Sequence, residues 1–322
     1  MKRFVNGLAA LLALLCVLPL QSRAEELLIP VGQVVGLELR DSTVVVAALD
    51  DSLGAAAREA GIQPGDEILR VNSTQIRSVE DVRAALDRCD GSVDLLILRG
   101  EKQRRVSMKP VKTEDGLRLG LYLRQGIAGL GTVTYYDPST GAFGALGHGV
   151  STSRGELLAM TEGSAFPGQV ASVRKGKAGQ PGQLQGSVTP EIPVGILKKN
   201  TARGVFGISR RGWTGQPLPV ASYDEVTAGP AVIRSNVEGD QVREYSVEIL
   251  KIYPENRPDS RNFLMKVTDP ALLEKTGGIV QGMSGSPIIQ NGKLIGAVTH
   301  VLVNDPTTGY GIFIENMLDA GE

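Results

Sequence analysis

An unbroken apolar run from Leu8 to Leu20 follows the basic pair Lys2-Arg3 at the start of the chain. It is short for a membrane span, which needs about 20 residues. With the small-residue stretch Ser22-Arg23-Ala24 behind it, it predicts an export signal or a retained anchor over residues 1–24. Beyond it the apolar positions change spacing several times. Val44-Val45-Val46-Ala47 reads as a buried strand, and Leu53 to Ala60 as a short helix stopped by Gly61. Ile62-Gln63-Pro64-Gly65-Asp66 is a turn, and Glu67 to Asn72 alternates as a strand. Ser78 can cap a second helix, with Asp81 closing a capping box, and Val79, Val82, Ala85 and Leu86 fall on one face of it. Val93–Leu98 and Arg105–Met108 complete this unit as strands.

These elements predict a compact unit over residues 27–111, a charged linker over 109–116, and a long glycine-punctuated segment over 115–322. In that segment Ile288-Ile289-Gln290 and Lys293 to Val298 flank Asn291-Gly292, the strongest short hairpin signal. Glycine is abundant at 40 residues and aromatics make up 4%, which favours strands and turns over a helical bundle. The predicted class is mainly β with short helices. A net charge of -1 removes any global drive toward nucleic acid, and the clusters Arg174-Lys175-Gly176-Lys177 and Lys198-Lys199 lack interleaved aromatics. They read as solvated loops. The only cysteines are Cys16, inside the apolar run, and Cys89, so neither a disulfide nor a cysteine nucleophile is expected. Metal-ligand spacings are missing too, and no metal or cofactor is expected.

The chemistry-bearing string is Gly282-Met283-Ser284-Gly285-Ser286-Pro287. A nucleophilic serine needs a tight turn that projects its hydroxyl into a cleft and aims backbone amides at one oxyanion. Glycine at 282 and 285 permits that turn, and the amides of Gly282 and Ser284 are the natural donors. A histidine can accept and return a proton near neutrality. Two exist: His148, framed by glycines and upstream of the serine, and His300, at the end of the hairpin. His148 is preferred as base. For the acid, Asp224, Asp240, Asp259, Asp269 and Asp305 compete, and spacing does not choose among them. An α/β-hydrolase esterase is disfavoured, because a hairpin rather than a helix follows Ser284.

The string Ala60 to Asn72 closely resembles bacterial PDZ domains. The resemblance implies a peptide-binding groove in which Val34 to Leu39 would supply the glycine loop and adjoining strand. Val35, Gly36, Leu37 and Leu39 then face Val79, Val82 and Leu86 across the bound peptide. The serine hexamer and its hairpin resemble chymotrypsin-like peptidases, with Ser286 in place of a glycine, and imply a double β-barrel. Leu119 to Arg124, Gly126 to Thr134, Ala145 to Gly149 and Gly277 to Pro287 together look like the SpoIVB peptidase family. That resemblance implies a triad of His148, Asp269 and Ser284, although an acid so close before the serine departs from chymotrypsin's spacing. It further implies export to the space between the forespore membranes and self-processing. The implied protein substrate is the regulatory subunit of an intramembrane metalloprotease complex, whose cleavage activates a late mother-cell sigma factor. The ligand of the PDZ domain would be a peptide, its own chain among the candidates, with membrane contact only through the N-terminal segment. The competing reading is a non-catalytic scaffold, a PDZ module joined to a dead peptidase fold.

Overall fold

Two long strands organise the chain, each running through two different hydrophobic cores. The computed structural model describes residues 26–322 apart from 153, 190, 191 and 258, so the expected export segment and Cys16 lie outside the described residues. A short strand, β1 (Leu27–Pro30), precedes the first long one, β2 (Val34–Leu49). Next come α1 (Ala55–Glu59), β3 (Glu67–Val71), β4 (Thr74–Gln75), α2 (Val79–Leu86), β5 (Val93–Arg99) and β6 (Lys102–Met108). The small pair β7 (Val111–Thr113) and β8 (Gly116–Arg118) then leads into the second long strand, β9 (Leu121–Tyr136).

β9 lies antiparallel to β2 from Leu49↔Leu121 to Val34↔Thr132, with the register slipping between Leu39 and Val44. At that slip Gly126 holds φ +78, and a Cβ there would stand 2.0 Å from the Leu39 carbonyl oxygen, so only glycine fits. On one side of it, Val44 and Val46 enter a core with Ile68, Val82 and Leu95. On the other, Leu37, Leu39 and Val133 pack with Phe143 and Val205.

The second core is that of a closed barrel. Its remaining strands are β10 (Ala142–Ala145), β11 (Glu162–Arg174), β13 (Gly195–Thr201) and β14 (Gly204–Ser209), with β12 (Gln183–Val188) folded back on β11 and β15 (Leu218–Pro219) paired to β1. The ring runs β2–β9–β10–β14–β13–β11 and returns to β2. A second closed barrel orders β16 (Gly229–Ser235), β17 (Arg243–Ile252), β18 (Phe263–Val267), β21 (Asp305–Phe313), β20 (Lys293–Leu302) and β19 (Pro287–Gln290). Strict alternation makes β17 one of its walls: Tyr245, Val247 and Ile249 point inward and Glu244, Ser246 and Glu248 outward. Helix α3 (Pro270–Thr276) precedes the serine loop, and α4 (Ile314–Gly321) ends the chain. The barrels meet through a shared apolar cluster of Leu28, Tyr135 and Phe206 from the first, with Leu294, Ile312 and Met317 from the second and α4.

The expected linear order of domains is corrected here. The PDZ-like module is not a unit over 27–111 placed ahead of the barrels. β1 and the first half of β2 belong to the first barrel, and the module is inserted between them and the second half of β9. Its own fold matches the sequence pattern. Ser78 caps α2 with the reciprocal Asp81 capping box, and Asn291 and Gly292 turn the later hairpin with φ of 52° and 76°.

Within the module, Asp66 is 1% exposed and receives Arg99 through two bonds, Nε to Oδ1 at 2.6 Å and Nη2 to Oδ2 at 2.7 Å. Burial alone would raise its pKa, yet Arg99 and the Gln63 amide hold the carboxyl below its ordinary value. A depressed folded pKa adds stability at neutral pH that is lost as pH falls through it. Asp66→Ala should therefore cost on the order of 2 kcal/mol in urea unfolding of the intact chain. It should also flatten the loss of stability on acidification below about pH 4. The cost stays under that of opening a wholly buried pair because Arg99 keeps 25% of its side chain in water.

Candidate active site

Ser284 and His148 reach one cleft from different barrels. Asp269 starts α3 as its N-cap, and Gly277 in the left-handed region ends that helix. The chain then turns back through a loop stitched by its own backbone: Met283 donates to the Val280 carbonyl, Ser286 to Met283 and Gly285 to Val298. Gly285 has φ +94, and a Cβ there would meet the Thr132 carbonyl oxygen at 2.1 Å, so the loop presses directly on β9. Among the described residues, the amides of Gly282 and Ser284 donate to no protein acceptor.

His148 follows β10 through Leu146 and Gly147, whose φ values are 71° and 68°. A leucine in the left-handed region is strained by about 1–3 kcal/mol, and such residues cluster at functional sites. Nothing in the apolar pattern around residue 146 announces this. The Leu146 amide donates to the Thr132 carbonyl at 3.2 Å, which fixes the bend that delivers the imidazole. His148 Nδ1 stands 2.9 Å from the Gly149 carbonyl oxygen. A carbonyl only accepts, so Nδ1 carries the proton and Nε2 is left as the basic nitrogen. Burial lowers the pKa of His148, opposed by the Gly149 carbonyl.

The cleft is about 490 Å³ and is lined by Ser284, His148, Gly282 and His300, with apolar walls that include Leu130 and Val301. The Ser284 hydroxyl donates to the Thr299 carbonyl at 2.8 Å rather than to the imidazole. The His300 ring centroid is 5.3 Å from that of His148. Its Nδ1 is buried with no hydrogen-bond partner among the described residues, and burial together with the nearby His148 pushes its pKa down to about 4.

Asp269, the expected acid, caps α3 and makes no hydrogen bond to His148 among the described residues. Its Oδ1 accepts the Leu272 amide at 3.0 Å and its Oδ2 the Ser246 amide at 3.4 Å, the work of a helix cap. The competitors are occupied or exposed as well. Asp259 pairs with Arg257 through two bonds, Asp305 accepts the Thr307 and Thr308 hydroxyls, and Asp224 and Asp240 face solvent. Among the described residues no carboxylate hydrogen-bonds to His148, and the Gly149 carbonyl holds the tautomer that an acid would otherwise fix.

The expected peptide-binding strand of the PDZ module is likewise displaced. Val35, Gly36, Leu37 and Leu39 are bonded on both edges, to β9 and to β11, and offer no free edge to a peptide. Leu37 and Leu39 instead line the serine cleft. The strand beside α2 is the start of β9, where Gln125 accepts from the Val79 amide and donates to the Arg77 carbonyl. Leu121–Gln125 pairs with β2 alone among the described residues, so its other edge is open. Val82 and Leu86 are buried in the module's core, and Val79 packs against it.

Two barrels with a serine and a histidine at their seam, and a PDZ module inserted in the first, give the architecture of the chymotrypsin-like serine peptidases. The SpoIVB peptidase S55 family model matches residues 115–318, and the chain belongs to that family. A PDZ domain model matches residues 52–99. Shorter similarities join the chain to mitochondrial serine protease HTRA2 of Drosophila virilis, 40% identical over 58 residues, covering 18% of this chain and 14% of that protein. Tight junction protein ZO-3 of Homo sapiens is 36% identical over 76 residues, covering 23% and 8% of the two chains. The chain thus spans only a small part of the curated relatives it matches. Among solved structures, the active form of the Rv3671c protease from M. tuberculosis superposes with a TM-score of 0.36 at 14% identity, covering 61% of this chain and 73% of that one.

Two outcomes follow. Asp269→Ala should lose about 1 kcal/mol of stability through the missing cap, while peptidase activity per folded molecule stays within about threefold of wild type, since no step of base catalysis passes through it. A base with a lowered pKa stays neutral further into acid, so the acid limb of kcat/KM should fall below about 6.5, the ordinary histidine value. A pH–rate profile on labelled casein reads it directly.

Proposed function

We propose that this chain is an exported endopeptidase in which Ser284 is the nucleophile and His148 the general base. The observation that carries this reading is the meeting of one hydroxyl, one imidazole with a basic Nε2, and two unclaimed amides in a single cleft. The Ser284 hydroxyl rotates from the Thr299 carbonyl to Nε2 and attacks the scissile carbonyl as Nε2 takes its proton. The oxyanion is held by the Gly282 and Ser284 amides, and the imidazolium by the Gly149 carbonyl. His148 then protonates the leaving amine, and water, deprotonated by the same nitrogen, releases the acyl group. Among the described residues the cleft lining holds no ionisable side chain apart from the two histidines, which favours an apolar residue on the acyl side of the cut.

A peptidase carrying a PDZ domain has protein substrates or peptide ligands. The family resemblance supports the finer reading: self-processing, and cleavage of the regulatory subunit of an intramembrane metalloprotease complex, which activates a late mother-cell sigma factor. The setting would be the space between the forespore membranes. The PDZ peptide, from a partner or from this chain, is assigned to the open edge of Leu121–Gln125 beside α2.

Ser284→Ala should abolish casein cleavage and self-processing without lowering the melting temperature, and a fluorophosphonate probe should label wild type only. Mass spectrometry of the casein products should find apolar residues before the cut. Failure of the wild-type chain to label under any condition would instead establish the scaffold reading.

A further inference from the structure

Gly282 is anchored on both sides by groups of the first barrel, although the serine loop belongs to the second. The Leu184 amide of β12 donates to the Gln281 carbonyl at 2.8 Å, and the Gln281 amide donates to the Gly182 carbonyl at 3.0 Å. In a trans peptide the C=O and N–H point in opposite directions. Tying the Gln281 carbonyl to β12 therefore turns the Gly282 N–H the other way. On the far side of the same residue, the Thr132 hydroxyl donates to the Gly282 carbonyl at 2.8 Å. Thr132 is fully buried, and its backbone also receives Leu146 and donates to Ser284.

We propose that Thr132 is a positioning residue for the oxyanion site, acting through Gly282. A glycine between two peptide planes rotates with little steric resistance. The Met283 N–H ties one edge of the Gly282–Met283 plane to the Val280 carbonyl at 3.1 Å. Without the hydroxyl the carbonyl edge is untied, the plane can tilt about that single bond, and the spacing between the Gly282 and Ser284 donors changes with it. The threonine hydroxyl removes that freedom, so the donors are set before charge develops, which is what makes such donors effective. The Leu184 side chain closes the remaining space, at 3.1 Å from where a Gly282 Cβ would be. This inference rests on the reading of Ser284 as nucleophile.

The test compares three variants with wild type and with Ser284→Ala. Thr132→Val keeps the shape and loses the bond. Thr132→Ser keeps the bond. Thr134→Val removes a hydroxyl bond of equal length, 2.8 Å, from Thr134 to the Gly285 carbonyl in the same loop. On labelled casein, Thr132→Val should lower kcat on the order of tenfold, less than the hundredfold or more of deleting an oxyanion donor, with KM nearly unchanged. Fluorophosphonate labelling of Ser284 should slow in parallel, while the acid limb of the pH profile stays in place. Thr132→Ser should restore the rate, and Thr134→Val should match the thermal destabilisation of Thr132→Val but keep wild-type kcat. Should Thr132→Val not fold, Thr132→Cys, a weaker donor, serves the same comparison. Wild-type kcat in Thr132→Val, or an equal loss in Thr134→Val, would overturn the proposal. Casein cleavage that persists in Ser284→Ala would sink the nucleophile assignment instead, and the two failures are separable.

Discussion

Neither barrel of this protein contains the site; the seam between them does, and one buried threonine holds the seam. Through its amide, carbonyl and hydroxyl, Thr132 is bonded to Ser284, Leu146 and Gly282. The loop that carries the imidazole and the loop that carries the hydroxyl are thereby referred to the same residue of β9. Buried polar groups of this kind are stabilising only when every one is satisfied. The close approach depends on Gly285, since any Cβ there would collide with the Thr132 carbonyl. The geometry of the cleft thus shares its contacts with the docking of the two barrels, which the apolar cluster around Leu28 and Leu294 completes.

Much of this was legible in the residues. The glycine frame of Ser284, the Asn-Gly hairpin behind it and the glycine-flanked His148 singled out two side chains that line one cleft, because tight turns demand particular residue types. The helices of the PDZ module were readable from Ser78, Asp81 and Gly61 for the same local reason. What the residues do not carry is partners distant in sequence. Asp269 was implied as the acid by the family resemblance, and an aspartate capping a helix and an aspartate bonding a histidine are the same letter. Only the Leu272 and Ser246 amides distinguish them.

Val34 to Leu39 misled in a different way. Its glycine amid apolar residues suits a carboxylate-binding loop as well as it suits a barrel strand. The alternation carries no information about which neighbours flank it, and β9 and β11 claim both edges. Local signals place residues in elements; they do not say which domain an element serves when one strand serves two.

The nesting of the PDZ module bears on how the chain reaches this state. The first barrel must pair Val34–Leu39 with Ile127–Thr132, segments separated by the entire module. Closing so long a loop from an open chain is entropically slow, and non-local strand pairing limits folding rates. The module's own ladder, Val44 to Leu49 against Leu121 to Gln125, ends where that pairing begins. Once the small domain is formed, the two halves of the barrel's first hairpin already lie side by side, and the remaining register can zip from the Gly126 bend. In this architecture the inserted domain clamps together the two strands from which the surrounding barrel starts.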